Sequence, residues 1–465
     1  MIRGPVASSS RTVAVAAALA IAAAPVAAQA RRWDDLPAAI QRRLTSMRLV
    51  EGSFTAFVAE HARRTAQRVR ESDWDAIVYY ALQSTAFTTE PPIEPALDAK
   101  AFFEGLTEAD RVRFLAGAAL PPDRVGSETR RRLRAFAEAL EKPAPPGRLA
   151  YFRDVVRAES ARGGPLEPRL ISEYVRAMRF LYEKEFLAPK RADSTAAIAE
   201  LYRERGLSTD TAIEAGYLVH LGLATIAAAD STRRIERVLI VGPGLDLAPR
   251  TGLLEIGEPE SYQPYAVLDS LVELGLARPG QVVIIGGDVN QRVVDRLRSA
   301  MKREVTLHLV TGIGESKSVR FDDGYRGYFS RLSNSIGVPL PAPAIDPRYA
   351  AHLKKTVRVS SAAVRAITAS RVDIVTDRFN GEPFDLVVVT NVFPYLSDIE
   401  LTLALSNIAA MLKPGGVLLH NEPRALVGEL TAELGLSLTH SRTAVIASVE
   451  GAKTPLYDRV FVHVR

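Results

Sequence analysis

The chain contains no cysteine among its 465 residues. That absence excludes disulfides, thiolate zinc sites and cysteine nucleophiles, and it leaves the redox compartment open. Histidine is scarce, at seven copies, and no two stand at metal-ligand spacing, so no metal is expected. Charge of one sign is not concentrated. The net charge of +5 arises from 59 basic and 54 acidic residues scattered along the chain. The densest basic group, Arg130-Arg131-Arg132 with Arg134, falls in a helical pattern. It reads as a solvated helix face, so no nucleic-acid partner is expected. Beyond residue 30 no apolar run is long enough to span a bilayer.

What is present is a globular composition, 47% hydrophobic and 24% charged. The length implies two folded regions and a processed segment. Residues 1–30 read as an export leader. Arg3 and Arg11 give a positive start, Thr12 to Gln29 is uncharged and alanine-rich, and Ala28-Gln29-Ala30 fits a small-x-small cleavage site. Cleavage after Ala30 takes the net charge from +5 to +3. No arginine pair directs the leader to a twin-arginine route. The expected location is therefore exported, periplasmic, with no stable membrane span after cleavage. An uncleaved leader would leave the protein anchored or cytoplasmic.

Residues 31–205 form an all-helical region by spacing of apolar residues. Helices are expected over Trp33–Leu49, Ser53–Arg70, Trp74–Gln83, Ala96–Glu104, Glu108–Ala118, Glu128–Glu141, Leu149–Ala161, Pro168–Phe186 and Ser194–Arg205. The clearest linker is Lys142 to Gly147, rich in proline. Tyr79, Tyr80, Tyr174, Phe180 and Tyr182 read as core aromatics.

Residues 206–465 alternate strand and helix. Ser208-Thr209-Asp210 opens a helix through about Ala229. Strands are expected at Val238–Val241, Gln281–Gly286, Val305–Val310, Phe384–Val389 and Val417–His420. Helices are expected at Tyr265–Leu276, Arg292–Met301, Glu400–Leu412 and Arg424–Leu434. Two β-rich runs, Ser441–Val449 and Arg459–Val464, close the chain. The order predicts an α/β fold: a doubly wound, mostly parallel Rossmann-like sheet with an antiparallel C-terminal strand, preceded by the helical region.

The segment RVLIVGPGLDLAPR, residues 237–250, organises this half. A buried strand runs into Gly242-Pro243-Gly244, and glycines at a strand's end let backbone approach a ligand. A dinucleotide site would want a third glycine at position 247, which is leucine, and an acid about 20 residues on. The next strand-end acid, Asp288, stands 44 residues after Gly244. The plain alternative for the glycine pair is a tight loop without a ligand. For Asp288 it is a helix N-cap, and for Asn391 a turn residue.

Four segments carry a likeness: VGPGLD, IIGGDVN, FDLVVVTNVFPYL and MLKPGGVLLHNEP. Together they resemble class I S-adenosylmethionine-dependent methyltransferases over residues 237–465. Within that class the chain is most similar to the chemotaxis-receptor methyltransferases. Their Glu-Pro-Tyr motif is echoed by Gln263-Pro264-Tyr265 and their Asn-Val-x-x-Tyr motif by Asn391 to Tyr395. The resemblance implies S-adenosylmethionine as cofactor, held by Gly242, Gly244, Asp246, Tyr265, Asp288, Val289 and Asn391. It implies an unidentified methyl acceptor, small molecule or protein. Asp288 would accept from ribose hydroxyls, and Val289 would pack on the adenine. The sequence departs from the pattern at Ile240 or Val241, where an acid is usual, at Pro243 and at Gln263; Asp246 would substitute for the missing acid. A base is needed only where the acceptor must lose a proton, and the catalytic residue candidates are Tyr395, His420 and Glu422. His420 reads equally as a buried strand-end histidine. The long segment Gly312 to Pro347 reads as a lid over a site or, equally, as packed or disordered chain.

Leader and cofactor pull apart, because S-adenosylmethionine is a cytoplasmic metabolite. Three readings follow: an active methyltransferase, an exported non-catalytic module that keeps the fold for binding, and a nucleotide-dependent enzyme of another class.

Overall fold

The computed structural model describes residues 28–143, 147–160, 165–247, 257–278, 280–344, 347–452 and 454–465. The expected leader lies outside these apart from Ala28–Ala30, which form a short strand, β1. The helical region follows as α1 (Ala38–Ser46), α2 (Glu51–Gln83), α3 (Pro95–Gly105), α4 (Glu108–Leu115), α5 (Ser127–Glu141), α6 (Arg148–Ser160), α7 (Leu166–Tyr182) and α8 (Ser194–Glu204). A π-helical turn, Glu183–Leu187, extends α7.

Then come α9 (Ala215–Ala229), β2 (Arg237–Val241), α10 (Gln263–Glu273), β3 (Val283–Asp288), α11 (Gln291–Ser299), β4 (Thr306–Gly314), β5 (Val319–Phe321), α12 (Asp323–Arg331), β6 (Gly337–Leu340), β7 (His352–Val359), α13 (Ser361–Arg365), β8 (Ile367–Arg371), β9 (Asp377–Phe379), β10 (Phe384–Val389), α14 (Asp398–Met411), β11 (Leu412–His420), α15 (Ala425–Glu433), β12 (Ser437–Val449) and β13 (Leu456–Val464).

The main sheet runs β5-β12-β13-β11-β10-β2-β3-β8. Five neighbouring strands, β11 to the edge strand β8, are parallel, and β13, β12 and β5 add antiparallel. By chain order the parallel strands lie 3-2-1-4-5, the doubly wound Rossmann arrangement. The chain turns back between β2 and β10, so the crevice at their carboxyl ends is the switch point where such sheets bind ligands. A separate three-stranded sheet, β4-β7-β6, sits between α11 and α13 in the chain.

Both faces of the sheet are covered, which is why its strands read as unbroken apolar runs. Val238 and Ile240 of β2 point into one core with Leu386 and Val388 of β10; Leu239 and Val241 point into the other with Val387 and Val389. The second core also takes Ile40 and Leu44 from α1 and Leu401 and Leu405 from α14. The helical region therefore packs directly on the sheet.

Several local expectations are corrected. The two helices expected on either side of Glu71 are one 33-residue helix, α2. Asp73 does not break it, because its carboxylate accepts from Arg292, 3.1 Å away, on α11. Ser208 to Asp210 do not cap α9. Asp210 bridges to Leu245 in parallel, and the helix starts at Ala215. Arg132 is not on a solvated face. It is fully buried and donates to the carbonyls of Ala81, Ser84, Glu90 and Pro91, closing the end of α2. Within Gly312 to Pro347 the helix α12 is packed, the second of the two readings of this segment. Tyr325 and Tyr328 of α12 are buried against Tyr217 of α9, with ring centroids 5.4 and 5.2 Å away. The strand expected at Val417–His420 begins earlier, at Leu412, and takes in Lys413-Pro414-Gly415-Gly416 as an irregularity, with Gly415 at φ 76°.

Candidate functional site

The carboxyl ends of β2, β3 and β10 open into a cavity of about 120 Å³. Gly242 and Gly244, just beyond β2, have φ 67° and 62°, a conformation natural to glycine and strained for other residues. Main-chain bonds fix the turn. Gly242 N–H donates to the Gly287 carbonyl at 2.8 Å and Leu245 N–H to the Thr209 carbonyl at 2.8 Å. The glycines are also required by packing: a Cβ on Gly244 would overlap Thr211 and the Thr209 carbonyl.

Asp288 ends β3 and lines the cavity. Among the described residues its carboxylate accepts from main-chain N–H groups, Asn290 at 2.8 Å and Gly244 at 3.4 Å, with Val289 beside them. Burial pushes its pKa up to about 6, against the pull of those donors. It is not the cap of α11; that is Asn290, whose side chain accepts from Arg292 N–H. Val289, Val372, Ile374 and Val375 give the cavity an apolar wall.

On the other bank Thr390, Asn391 and Tyr395 follow β10. Asn391 has φ 58°, a region asparagine tolerates better than most residues. Asn421 holds it on both sides: Asn391 N–H donates to Asn421 Oδ1 at 2.9 Å, and Asn421 Nδ2 donates to Asn391 Oδ1 at 2.7 Å. Tyr395 stands edge-on to Tyr202 at 5.6 Å between ring centroids. Burial raises the pKa of its hydroxyl, which is bonded to Ser208.

The roof comes from α2. His61, Thr65 and Arg68 line the cavity. His61 Nδ1 lies 3.0 Å from Glu400 Oε1 and Nε2 lies 2.9 Å from Asp373 Oδ2. Burial opposes its charge, but the two carboxylates outweigh burial and raise its pKa to about 9. Arg68 donates to the carbonyls of Arg205, Tyr395 and Tyr202 at 2.8, 3.1 and 3.1 Å, tying the roof to the Tyr395 bank and to the end of α8.

Of the residues singled out from sequence, Gly242, Gly244, Asp288, Val289, Asn391 and Tyr395 border this one cavity. The others lie elsewhere. Asp246 is buried in an ion pair with Arg148 of α6 at 2.5 Å and accepts from the Tyr262 hydroxyl at 2.6 Å. Tyr265 is buried in the core of α10. His420 is buried, stacked on Phe461 and His463, and burial drives its pKa down to about 3. Glu422 pairs with Arg424 at 3.4 Å. Sequence reasoning missed the roof. The signal was there in α2, where His61, Thr65 and Arg68 recur at helical spacing on a stripe that should be apolar. Among the described residues no cluster of histidine and acidic side chains has the geometry of a metal site, and no helix is long and apolar enough to cross a membrane.

No family model matches the chain, and no curated protein does. Solved structures match parts of the chain at low identity. The N-methyltransferase NodS from Bradyrhizobium japonicum WM9 is 13% identical with a TM-score of 0.28, covering 54% of this chain and 96% of its own. Magnesium protoporphyrin IX methyltransferase (ChlM) from Synechocystis PCC 6803, with bound SAM, is 10% identical with a TM-score of 0.28, covering 59% and 99%. A TehB-like SAM-dependent methyltransferase from Corynebacterium glutamicum ATCC 13032 is 13% identical with a TM-score of 0.25, covering 52% and 86%.

Proposed function

We propose that the chain binds S-adenosylmethionine in the switch-point cavity and transfers its methyl group to an acceptor. The observation that carries this is Asp288: a buried strand-end carboxylate whose partners among the described residues are main-chain N–H groups, facing a glycine turn across an apolar-walled cavity. Those parts suit a nucleoside. The carboxylate keeps acceptor capacity for two vicinal hydroxyls, Val289, Ile374 and Val375 offer a flat apolar wall to a purine, and Gly242 lets main chain approach the amino-acid end. When bound, the cofactor supplies an electrophilic methyl on a sulfonium. The protein's share is orientation and exclusion of water, which supply much of the rate in such a displacement. Asn391, pinned by Asn421, fixes the bank opposite Asp288, and the α2 roof keeps the cavity covered.

A second reading is a binding module that keeps the fold without transfer. It is favoured by Gln263, which replaces the family's glutamate and spends its amide on Thr390 at 2.6 Å. Titration of the full chain with S-adenosylhomocysteine tests the proposal. Micromolar binding is expected, weakened about 10- to 100-fold in Asp288→Ala, the worth of one or two hydrogen bonds to a charged group. A folded chain that does not bind overturns it.

A further inference from the structure

A second cavity, about 460 Å³, adjoins the first and shares Ser208 and Asp210 with it. Its roof is the next part of α2, through Ser72, Asp75, Ala76 and Tyr79, and its far wall is the end of α7 with the π-helical turn. The carboxylates of this outer cavity are met. Asp75 accepts from Arg176 at 2.8 Å and pairs with Arg205 at 3.4 Å. Glu185 pairs with Lys184 at 2.8 Å, Glu94 accepts from Gln83 at 3.3 Å, and Asp210 has a partner of its own. An added cation therefore finds no unpaired acid here.

Two donors of the same lining are not met. Arg205 ends a line of alternating charge: Arg169 to Glu173 at 2.6 Å, Glu173 to Arg176 at 2.6 Å, Arg176 to Asp75 at 2.8 Å, and Asp75 to Arg205 at 3.4 Å. The last link is the longest, because Arg176 already holds Asp75. Arg205 Nε is buried and has no hydrogen-bond partner among the described residues, which is costly for a donor. The guanidinium is fixed by other means. Its Cζ lies 4.0 Å from the centroid of the Phe180 ring, a contact that spends no N–H. Its main chain is docked on α2: Arg68 donates to the Arg205 carbonyl at 2.8 Å, and a Cβ on Gly206 would lie 2.6 Å from Ser72 N. The second donor is the Tyr79 hydroxyl, which makes no hydrogen bond among the described residues. Burial raises its pKa, so it keeps its proton.

We propose that the outer cavity is a binding site for a small-molecule carboxylate, whose oxygens accept from the Arg205 guanidinium and the Tyr79 hydroxyl. A carboxylate matches the planar fork of N–H groups on an arginine edge. It brings one negative charge beside Asp75, where a phosphate dianion would bring two. Phe180, Leu181 and Ala76 offer apolar contact to the rest of the molecule. The site rests on its own donors, so it stands whether or not the inner cavity takes S-adenosylmethionine.

The test is calorimetric titration of the full chain with benzoate, benzamide and inorganic phosphate. Benzoate is expected to bind with a Kd of about 1 mM or tighter. Benzamide, equal in shape without the charge, should bind about tenfold or more weakly. Tyr79→Phe removes a hydroxyl without a partner, so thermal stability should match wild type while benzoate binds about three- to tenfold more weakly. Arg205→Met should weaken benzoate about tenfold or more; Asp75 keeps Arg176 in that variant, and a thermal melt shows that it is folded. Should it not fold, Tyr79→Phe alone decides. Wild type that does not bind benzoate overturns the inference, as does benzoate binding that Tyr79→Phe leaves unchanged or benzamide binding of equal strength. Phosphate binding in place of benzoate overturns the carboxylate assignment.

Discussion

His61 of α2 and Glu400 of α14 are 339 residues apart and meet at 3.0 Å, both buried. With Asp373 on its other nitrogen, at 2.9 Å, the imidazolium clamps the helical roof to the sheet. Removing one partner of a buried pair leaves the others uncompensated. His61→Ala should therefore lower stability by about 3 kcal/mol, read by urea denaturation. The pH dependence has a definite sign. His61 rises from its ordinary 6.5 to about 9 in the fold, so its contribution is full below pH 6.5 and is lost as pH rises through about 9. Glu400 falls from 4.5 to about 2, burial being outweighed by His61 and Ser397. Its contribution is present above pH 4.5 and is lost as pH falls through about 2. The difference between wild type and His61→Ala should be level from pH 5 to 6.5 and shrink toward pH 10; a difference that grows with pH would show that the imidazole is not charged.

Asp288 predicts the pH dependence of binding. Its carboxyl, raised to about 6 by burial, must be ionised to accept from two hydroxyls. Affinity for S-adenosylhomocysteine should be constant above pH 7 and fall about tenfold per unit below 6. The same shift costs the unliganded fold up to about 3 kcal/mol as pH rises from about 4 through 6. Asp288→Asn should remove both dependences, which calorimetry across pH 5 to 8 would check.

Gly244→Ala separates the turn's packing from its binding role. The left-handed backbone disfavours alanine by about 1–2 kcal/mol, and the added methyl meets Thr211 and the Thr209 carbonyl. A loss of 2–4 kcal/mol is expected in denaturation. Gly415→Ala, also at positive φ but with open space around it, should cost only the backbone part.

Arg148 and Asp246 join α6 to the end of the glycine turn, both buried. Arg148→Met should destabilise by about 3–5 kcal/mol, because Asp246 is left charged without its partner. The double variant Arg148→Met/Asp246→Asn should lose less than the sum of the single losses. Additive losses would mean that the two side chains act independently.

Much of the sheet was legible in the sequence, for a physical reason. Strands buried on both faces must be apolar throughout, so Val238 to Val241 and Phe384 to Val389 announce themselves without reference to anything distant. The glycine turn and Asp288 were legible because local geometry and a strand's end restrict which residues serve there. The roof was not. Whether a polar stripe such as His61, Thr65, Arg68 and Ser72 faces water or a cavity depends on what packs against it, and its partners Asp373 and Glu400 come from the far end of the chain. Asp246, Tyr265 and His420 show the same limit in reverse. Their spacing from the motifs was right, but Arg148, the α10 core and the β13 stack enclose them. The sequence by itself determined the order and kind of the elements, since propensity and periodicity act over a few residues. Only the tertiary structure decided which polar groups meet in a cavity, because burial and charge pairing are set by neighbours that no local pattern encodes.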